Sequence, residues 1–424
     1  MAQGPSGEAT PSVKAPADGV GQRRAVQPTL HVGTEPLGSP TSTTEGAVLE
    51  AVFRAGRVSR AEIARVSGLS KPTVSSVIET FVAGGLVREI GQGFGQPGRP
   101  PVLYELAPTA GYVIGLDVGG TKVRGALANL VGEVIAEHQE PTSTTSAAAF
   151  VDQVHSMRRA LLTKAEVPEN RLEALSMGIP GIYNPVTDAV RAAYKVPALE
   201  TIPFVATIGQ GLSYPVLVDN DVNFAALGEQ WQGTVVPDTD FVTIAVGTGI
   251  GMGAVIGGRL HRGATGSAGE IGSLPLLNPW LGTGEQVLEN VAAGPGILRR
   301  LSTALADDHG PQTSLGAHSS VPDIVQAAAD GDRLAVRLLD EETDLITLAV
   351  ACAVLVLDPS LVVLGGGIGT NPDLVDRVRS RAGQLLPTPP DIEPSRLGNR
   401  AAMLGGIAVA LDVAHGRLAA RTSR

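Results

Sequence analysis

The sequence predicts an α/β protein in which a small winged helix-turn-helix domain precedes a duplicated, two-lobed domain with a cleft between the lobes. Three observations predict it. Residues 57–106 hold, in order, a capped helix, a tight turn, a second capped helix and a Gly-rich hairpin. From Gly111 onward strand-like runs alternate with helical ones, and the pattern starts again after Phe241; alternation marks an α/β layer fold, and its recurrence marks an internal duplication. Glycine turns close three of the strand-like runs, in GLDVGGTK at 115–122, in GTGIG at 247–251 and in LGGG at 364–367. Repeated turns of this kind at strand ends belong to a ligand cleft more readily than to ordinary hairpins.

Length and composition agree with this. A chain of 424 residues with 43% hydrophobic content can fill a small domain and a larger bilobed core. The longest apolar stretch, 345–357, is too short to cross a bilayer, and the N-terminus lacks the basic-then-apolar pattern of a secretion signal. A cytoplasmic protein with no membrane partner is therefore expected. The single cysteine, Cys352, excludes an intrachain disulfide and, lying in that apolar run, is expected to pack in the core. Charge is unevenly spread: residues 45–105 carry seven basic and six acidic groups, and residues 106–424 carry 22 and 33. A nearly neutral reader needs a local cationic cluster and a second copy to attract phosphates.

Taken in order, residues 1–43 are rich in Gly, Pro, Ser and Thr without hydrophobic periodicity and are expected to be a disordered tail. Domain boundaries are placed at 44–107 for the reader and 108–424 for the rest. Val48, Leu49, Val52 and Phe53 form the stripe of a first helix. Ser59 and Glu62 make the capping box of a second, which carries Ile63 and Val66 and ends at Gly68. Ser70 caps a third helix with Pro72 in its first turn and with Val74, Val77, Ile78 and Phe81 on one face. Its other face presents Pro72, Thr73, Ser76, Glu79 and Thr80, with Ser70, Lys71 and Ser75 at the N-terminal edge. That small polar surface suits a major groove, so Ser70, Lys71, Pro72, Thr73, Ser75 and Ser76 are the candidate DNA contacts. Short strands at 86–90 and 102–106 flank a wing whose Arg99 is placed to reach a minor groove or a phosphate.

In the second domain, Asp117, Gly119, Gly120, Thr121 and Lys122 directly follow a strand. Glycines there let backbone N–H groups approach phosphate oxygens, Thr121 and Lys122 add a hydroxyl and a charge, and Asp117 is a candidate for Mg²⁺ or its water shell. Gly247, Thr248 and Gly249 close the next such strand, and Gly365, Gly366 and Gly367 a third. Between them VDNDVNFAALGEQW at 218–231 ends a strand at Asn220 and Asp221 before a helix. A carboxylate in that place suits a base that takes a proton from an attacking hydroxyl; it equally suits a helix N-cap. The GIPG turn at 178–181 is expected to line the same cleft, and 306–320 to be a surface loop.

From about residue 45 to its end the chain resembles the regulator branch of the ROK family (repressor, open reading frame, kinase). The resemblance rests on DVGGTK, GIPG, NDVNFAALGE, GTGIGMGAVIGGRLHRGATGSAGEIG and LGGGI standing in family order. It implies an actin-like, ribonuclease-H-like duplicated fold with lobes near 108–235 and 236–424 and a C-terminal helix packing back on the first. It also implies a sugar in the cleft held by Asn220, Asp221, Glu270 and Glu289, with Asp221 as the base of kinase members. ATP phosphates on the glycine turns, and dimers or dimers of dimers, are implied likewise. The expected function is a DNA-binding regulator, a repressor of carbohydrate uptake or metabolism genes. It would bind an inverted-repeat operator under control of a sugar or sugar-derived effector. An ATP-dependent sugar kinase with an added DNA-binding domain is the alternative, and a phosphorylated sugar, a nucleotide or a protein partner are other occupants of the cleft. One segment departs from the family pattern. GEIGH followed by a cysteine-rich zinc segment is replaced by GEIGSLPLLNPWLGTGEQVLEN, so Ser273 stands for the histidine and no zinc is expected. Packing of Leu274, Leu276, Leu277 and Trp280 is expected to hold that loop instead.

Overall fold

A computed structural model describes residues 43–92, 100–236, 239–276, 287–307 and 312–422. The expected disordered tail up to residue 42, Arg99 on the wing, and Leu277 and Trp280 lie outside these residues.

The reader is built from α1 (Thr44–Ala55), β1 (Val58–Ser59), α2 (Arg60–Ser67), α3 (Lys71–Ala83), β2 (Val87–Gln92) and β3 (Val102–Leu106). The three strands form an antiparallel sheet ordered β1-β3-β2. Hydroxyl caps start all three helices: Thr43, Ser59 and Ser70 accept from the backbone N–H groups of Gly46, Glu62 and Thr73, each satisfying a donor with no helical partner. Two expectations are corrected here. Only half of the capping box at Ser59 forms, because Arg65, one turn on, takes the Glu62 carboxylate at 2.5 Å. Val66 is 55% exposed while Ile63 is fully buried; α2 ends one residue after Val66, and Gly68 (φ +71°) turns the chain away.

The first lobe comprises β4 (Tyr112–Val118), β5 (Lys122–Asn129), β6 (Val134–Pro141), α4 (Ala147–Lys164), β7 (Leu172–Ile179), β8 (Ile182–Asn184), β9 (Ala189–Arg191), α5 (Phe204–Ile208), β10 (Val216–Asn220) and α6 (Asp221–Gln232). In the second are β11 (Phe241–Val246), β12 (Ile250–Ile256), β13 (Arg259–Leu260), α7 (Leu288–Ala292), α8 (Gly294–Leu305), α9 (Val321–Ala329), α10 (Arg333–Leu357), β14 (Leu361–Gly365), α11 (Gly366–Gly369), α12 (Pro372–Leu385), β15 (Asp391–Pro394) and α13 (Ala401–Thr422). The two five-stranded sheets have one topology. Read from the hairpin edge, the orders are β6-β5-β4-β7-β10 and β13-β12-β11-β14-β15. In each, three antiparallel strands come first and two strands parallel to the central one follow. The duplication read from the sequence is therefore real at the level of strand order. Interior strand β7 is buried at every residue, which is why LEALSMGI is largely apolar; edge strand β6 alternates instead.

Helix α13 starts after the last strand of the second lobe and packs on β4, β7 and, most extensively, α6 of the first. Glycines make the helix pair possible: a Cβ on Gly405 would strike the Phe224 carbonyl oxygen, and one on Gly228 that of Ala401. By length and composition α13 is apolar enough to cross a membrane, but most of it is buried, as in a core helix. Its other flank meets the reader. A continuous core joins Leu49, Ile78 and Phe81 of the reader to Phe224 of α6 and to Met403, Ile407 and Leu418 of α13. Phe53 of α1 stacks on the His415 ring at 3.8 Å with a 12° tilt. Cys352 is half-buried on α10.

Candidate functional site

The cleft is assembled where β10 gives way to α6. Asn220 Oδ1 accepts from the N–H groups of Val222 (2.9 Å) and Asn223 (3.4 Å), and its Nδ2 donates to Gly181 O at 3.3 Å. So Asn220 is the helix cap, and it ties the GIPG turn to the same spot. Asp221, the first helical residue, keeps one short bond, from Val222 N at 2.9 Å. Gly178 of β7 backs it closely: a Cβ there would lie 3.1 Å from the Asp221 Cα.

Four acidic groups sense one another across this space. Burial pushes the Asp221 carboxyl up to about 7, the negative charges of Asp117 and Glu270 add to the rise, and Lys195 and the Val222 N–H oppose it. Asp117, at the end of β4, is raised to about 6 by burial against the pull of Arg124, whose Nη1 donates to it at 3.3 Å. Glu270 is raised by burial and by the charge of Glu289. Glu289 in turn accepts from Ile250 N at 2.8 Å. A carboxyl near 7 is half-ionised at neutral pH, the state from which a group both accepts and returns a proton.

The glycine turns converge on the same space. Gly119 N donates to Lys122 O at 2.9 Å, closing the β4–β5 turn with Gly120 and Thr121 at its tip, and Thr121 and Lys122 are exposed. Gly247 N donates to Gly249 O at 2.9 Å, and Thr248 is exposed between them. A Cβ on Gly247 would lie 3.7 Å from Gly367 N, so the second and third turns face each other. Gly366 (φ +78°) follows Gly365 in a left-handed conformation, and a Cβ there would collide with Val246 O, so glycine is required on both counts.

Two features escaped the sequence. Lys195, on the stretch after β9, drapes its stem over Gly120 and brings Nζ beside Gly249 and Glu289; a lone lysine in a loop gives no motif to find. Asp219 is 9% exposed and holds Arg262 Nε at 2.7 Å and Asn223 Nδ2 at 2.8 Å, linking the end of β10 to the second lobe. The expected replacement loop is only partly described. Ser273 is exposed in a 3₁₀ turn, and Leu274 and Leu276 pack against the second-lobe core. Among the described residues no group of three or more His, Cys, Asp or Glu side chains is arranged to hold a metal.

On the reader, Ser70, Lys71, Pro72 and Ser76 are exposed and Thr73 and Ser75 half-buried along one side of α3. The Ser70 and Thr73 hydroxyls lie 2.7 Å apart. Arg60 pairs with Glu79 at 3.2 Å and lies over the Tyr104 ring at 5.2 Å, fixing the outer end of the helix.

A twin-sheet, two-lobed domain with a carboxylate cleft and three facing glycine turns, carrying a winged helix-turn-helix in front, is a sugar-kinase-like domain joined to a DNA reader. The ROK family model matches residues 113–413, and the IclR helix-turn-helix model matches residues 46–91. The chain belongs to the ROK family. The xylose repressor of Caldicellulosiruptor bescii is 28% identical over 86% of this chain and 94% of its own. The glucokinase of Streptomyces coelicolor is 30% identical over 71% of this chain and 98% of its own. A crystal structure of a ROK family transcriptional regulator, homologous to the MLC protein of E. coli, matches with a TM-score of 0.70 at 21% identity, over 90% of this chain and 98% of that one. At that identity the likeness is one of fold.

Proposed function

We propose that the protein is a sugar-responsive transcriptional repressor of carbohydrate uptake or metabolism genes, in which a ligand in the interlobe cleft alters the DNA-binding state of the reader. The observation that carries this is the shared core: α6, whose first residue is Asp221, packs on α13, and α13 packs on α1 of the reader. A ligand that prefers one arrangement of the lobes then has a packed route to the DNA-reading helix, and it shifts the reader only by its differential affinity for the two arrangements. The full-length relatives named as xylose repressors support the same reading. The candidate sugar ligands are Asn220, Asp221, Glu270 and Glu289. Deletion of residues 45–106 tests the reader: it is expected to abolish operator binding, and unchanged binding would refute the assignment.

A kinase is the second reading, favoured by the placement and raised pKa of Asp221. The glycine turns would hold ATP phosphates on their backbone N–H groups, Gly247 and Gly367 facing each other across the space between the turns. An apolar cavity of about 330 Å³ adjoins Gly367 and Ile368, with Ile297, Val321 and Leu374 on its wall, room for a base. ATP there would supply the transferable phosphoryl group; Asp221 would take the hydroxyl proton of the sugar.

A further inference from the structure

We propose that Lys195 makes the cleft selective for a sugar-derived effector carrying an anionic group, a carboxylate or a phosphate, which its ammonium binds. The inference rests on the reading of the cleft as an effector site and names the chemical class of its ligand.

The lysine is aimed by its surroundings. Ala192 before it adopts φ +55°, the Ala193 N–H is tied to Glu200 at 2.7 Å, and Val196 N returns to Ala193 O at 2.8 Å. This short fixed bend directs the Lys195 stem across Gly120, where an added Cβ would lie 3.0 and 3.1 Å from its Cβ and Cδ. The ammonium then occupies the space a side chain on Gly249 would fill, and Glu289 Oε2 lies 2.5 Å from that same point on its other flank. One cation thus spans from the first glycine turn to the second, among the residues assigned to the sugar.

What the ammonium does not do is equally informative. Arg124 is committed to Asp117 and Arg262 to Asp219. Lys195, half-buried, forms no hydrogen bond or ion pair with another described residue. A strap holding the lobes together would close an ion pair with Glu289 or Asp221, and it has not done so. Glu289 already accepts from Ile250 N, and the Asp221 carboxyl, raised to about 7 by burial, carries less than full charge at neutral pH. A partly desolvated ammonium that closes no hydrogen bond or ion pair gains from an oxyanion, through charge-assisted hydrogen bonds. Its closeness to Glu289 and its electrostatic pull on Asp221, both candidate sugar ligands, favour an oxyanion carried by the sugar; a nucleotide phosphate on Gly120 and Gly249 is the alternative that the ATP control separates.

Calorimetric titration of the full-length protein tests this with D-xylose and D-glucose as neutral probes, and D-xylonate, D-glucuronate and glucose 6-phosphate as anionic ones. ATP is the control for a nucleotide phosphate. At least one anionic probe is expected to bind about tenfold or more tightly than its neutral parent. Lys195→Met, which keeps the stem, is expected to reduce that preference to about twofold or less, and Lys195→Arg to retain most of it. The proposal is overturned if no anionic sugar binds more tightly than its parent, if the preference survives in Lys195→Met with an unchanged melting temperature, or if only ATP responds to the substitution. Operator affinity measured in the same samples separates the two claims. An anionic probe that binds through Lys195 without changing operator affinity would sink the regulator reading and leave the Lys195 assignment standing. A neutral sugar that alone shifts operator affinity would do the reverse.

Discussion

Asp221 sits at the junction of the two readings of the cleft, and one substitution separates them. Asp221→Asn keeps the hydrogen bonding of the side chain and removes its basicity, so a sensing cleft retains operator binding and its ligand response. A catalytic cleft loses phosphoryl transfer altogether, which a steady-state assay with ATP and a sugar panel reads. The same variant has a stability signature. The folded pKa of about 7 lies above the ordinary carboxylate value, so the contribution of this group is present in acid and is lost as pH rises through 7. Asp221→Asn should therefore melt higher than wild type at pH 8, by the equivalent of about 1 kcal/mol after screening, and the gain should vanish toward pH 4. At this scale Asp117, Asn220 and Asp221 stand out in the sequence at a glycine turn and a strand-to-helix junction, whereas Glu270 and Glu289 enter only through the family resemblance. Lys195 was not, since its place depends on the bend at Ala192 and on a lobe 54 residues further along the chain at Gly249.

Helices α1 and α13 form the packed route proposed between reader and cleft, and their contact is testable apart from either. His415 Nε2 donates to Leu130 O at 2.9 Å while its ring stacks on Phe53. Burial lowers its pKa to about 4, against the Leu130 carbonyl and the charge of Glu50. A depressed histidine contributes stability above about 6.5 that is lost as pH falls toward 4. His415→Gln should flatten the fall in melting temperature across that window, and an unchanged slope would remove His415 as its source. Phe53→Ala, by loosening α1 from α13, should leave operator binding present and abolish its response to ligand. A second element, the loop that departs from the family pattern, predicts less than stoichiometric zinc and indifference to chelators in the purified protein; one tightly held zinc per chain on elemental analysis would contradict the reading of residues 273–289. Element boundaries were legible where caps and periodicity coincide, as at Ser70 and Pro72 of α3. The packing of α13 against the reader was not, because it depends on Phe53 and His415 meeting across 362 positions of chain.

For the whole molecule, the nearly neutral reader and the acidic lobes lead to the prediction that operator affinity comes from two readers acting together. The protein should bind an inverted repeat whose half-sites lie one or two helical turns apart. Substitution of Thr73 or Ser76 should alter base preference, whereas Arg99→Ala should weaken all sequences alike and reduce the salt dependence. The duplicated architecture was legible from strands that restart after Phe241, but the union of reader and first lobe in one core was not, since no local pattern marks Leu49 or Phe81 as neighbours of Leu418. That union is the physical basis of the central claim, and operator binding by the full-length protein, titrated with and without a saturating sugar that calorimetry places in the cleft, tests it most directly. The ligand should change operator affinity by about fivefold or more, the equivalent of 1 kcal/mol of coupling, and the change should disappear in Phe53→Ala. A ligand that saturates the cleft while operator affinity stays the same would contradict the account.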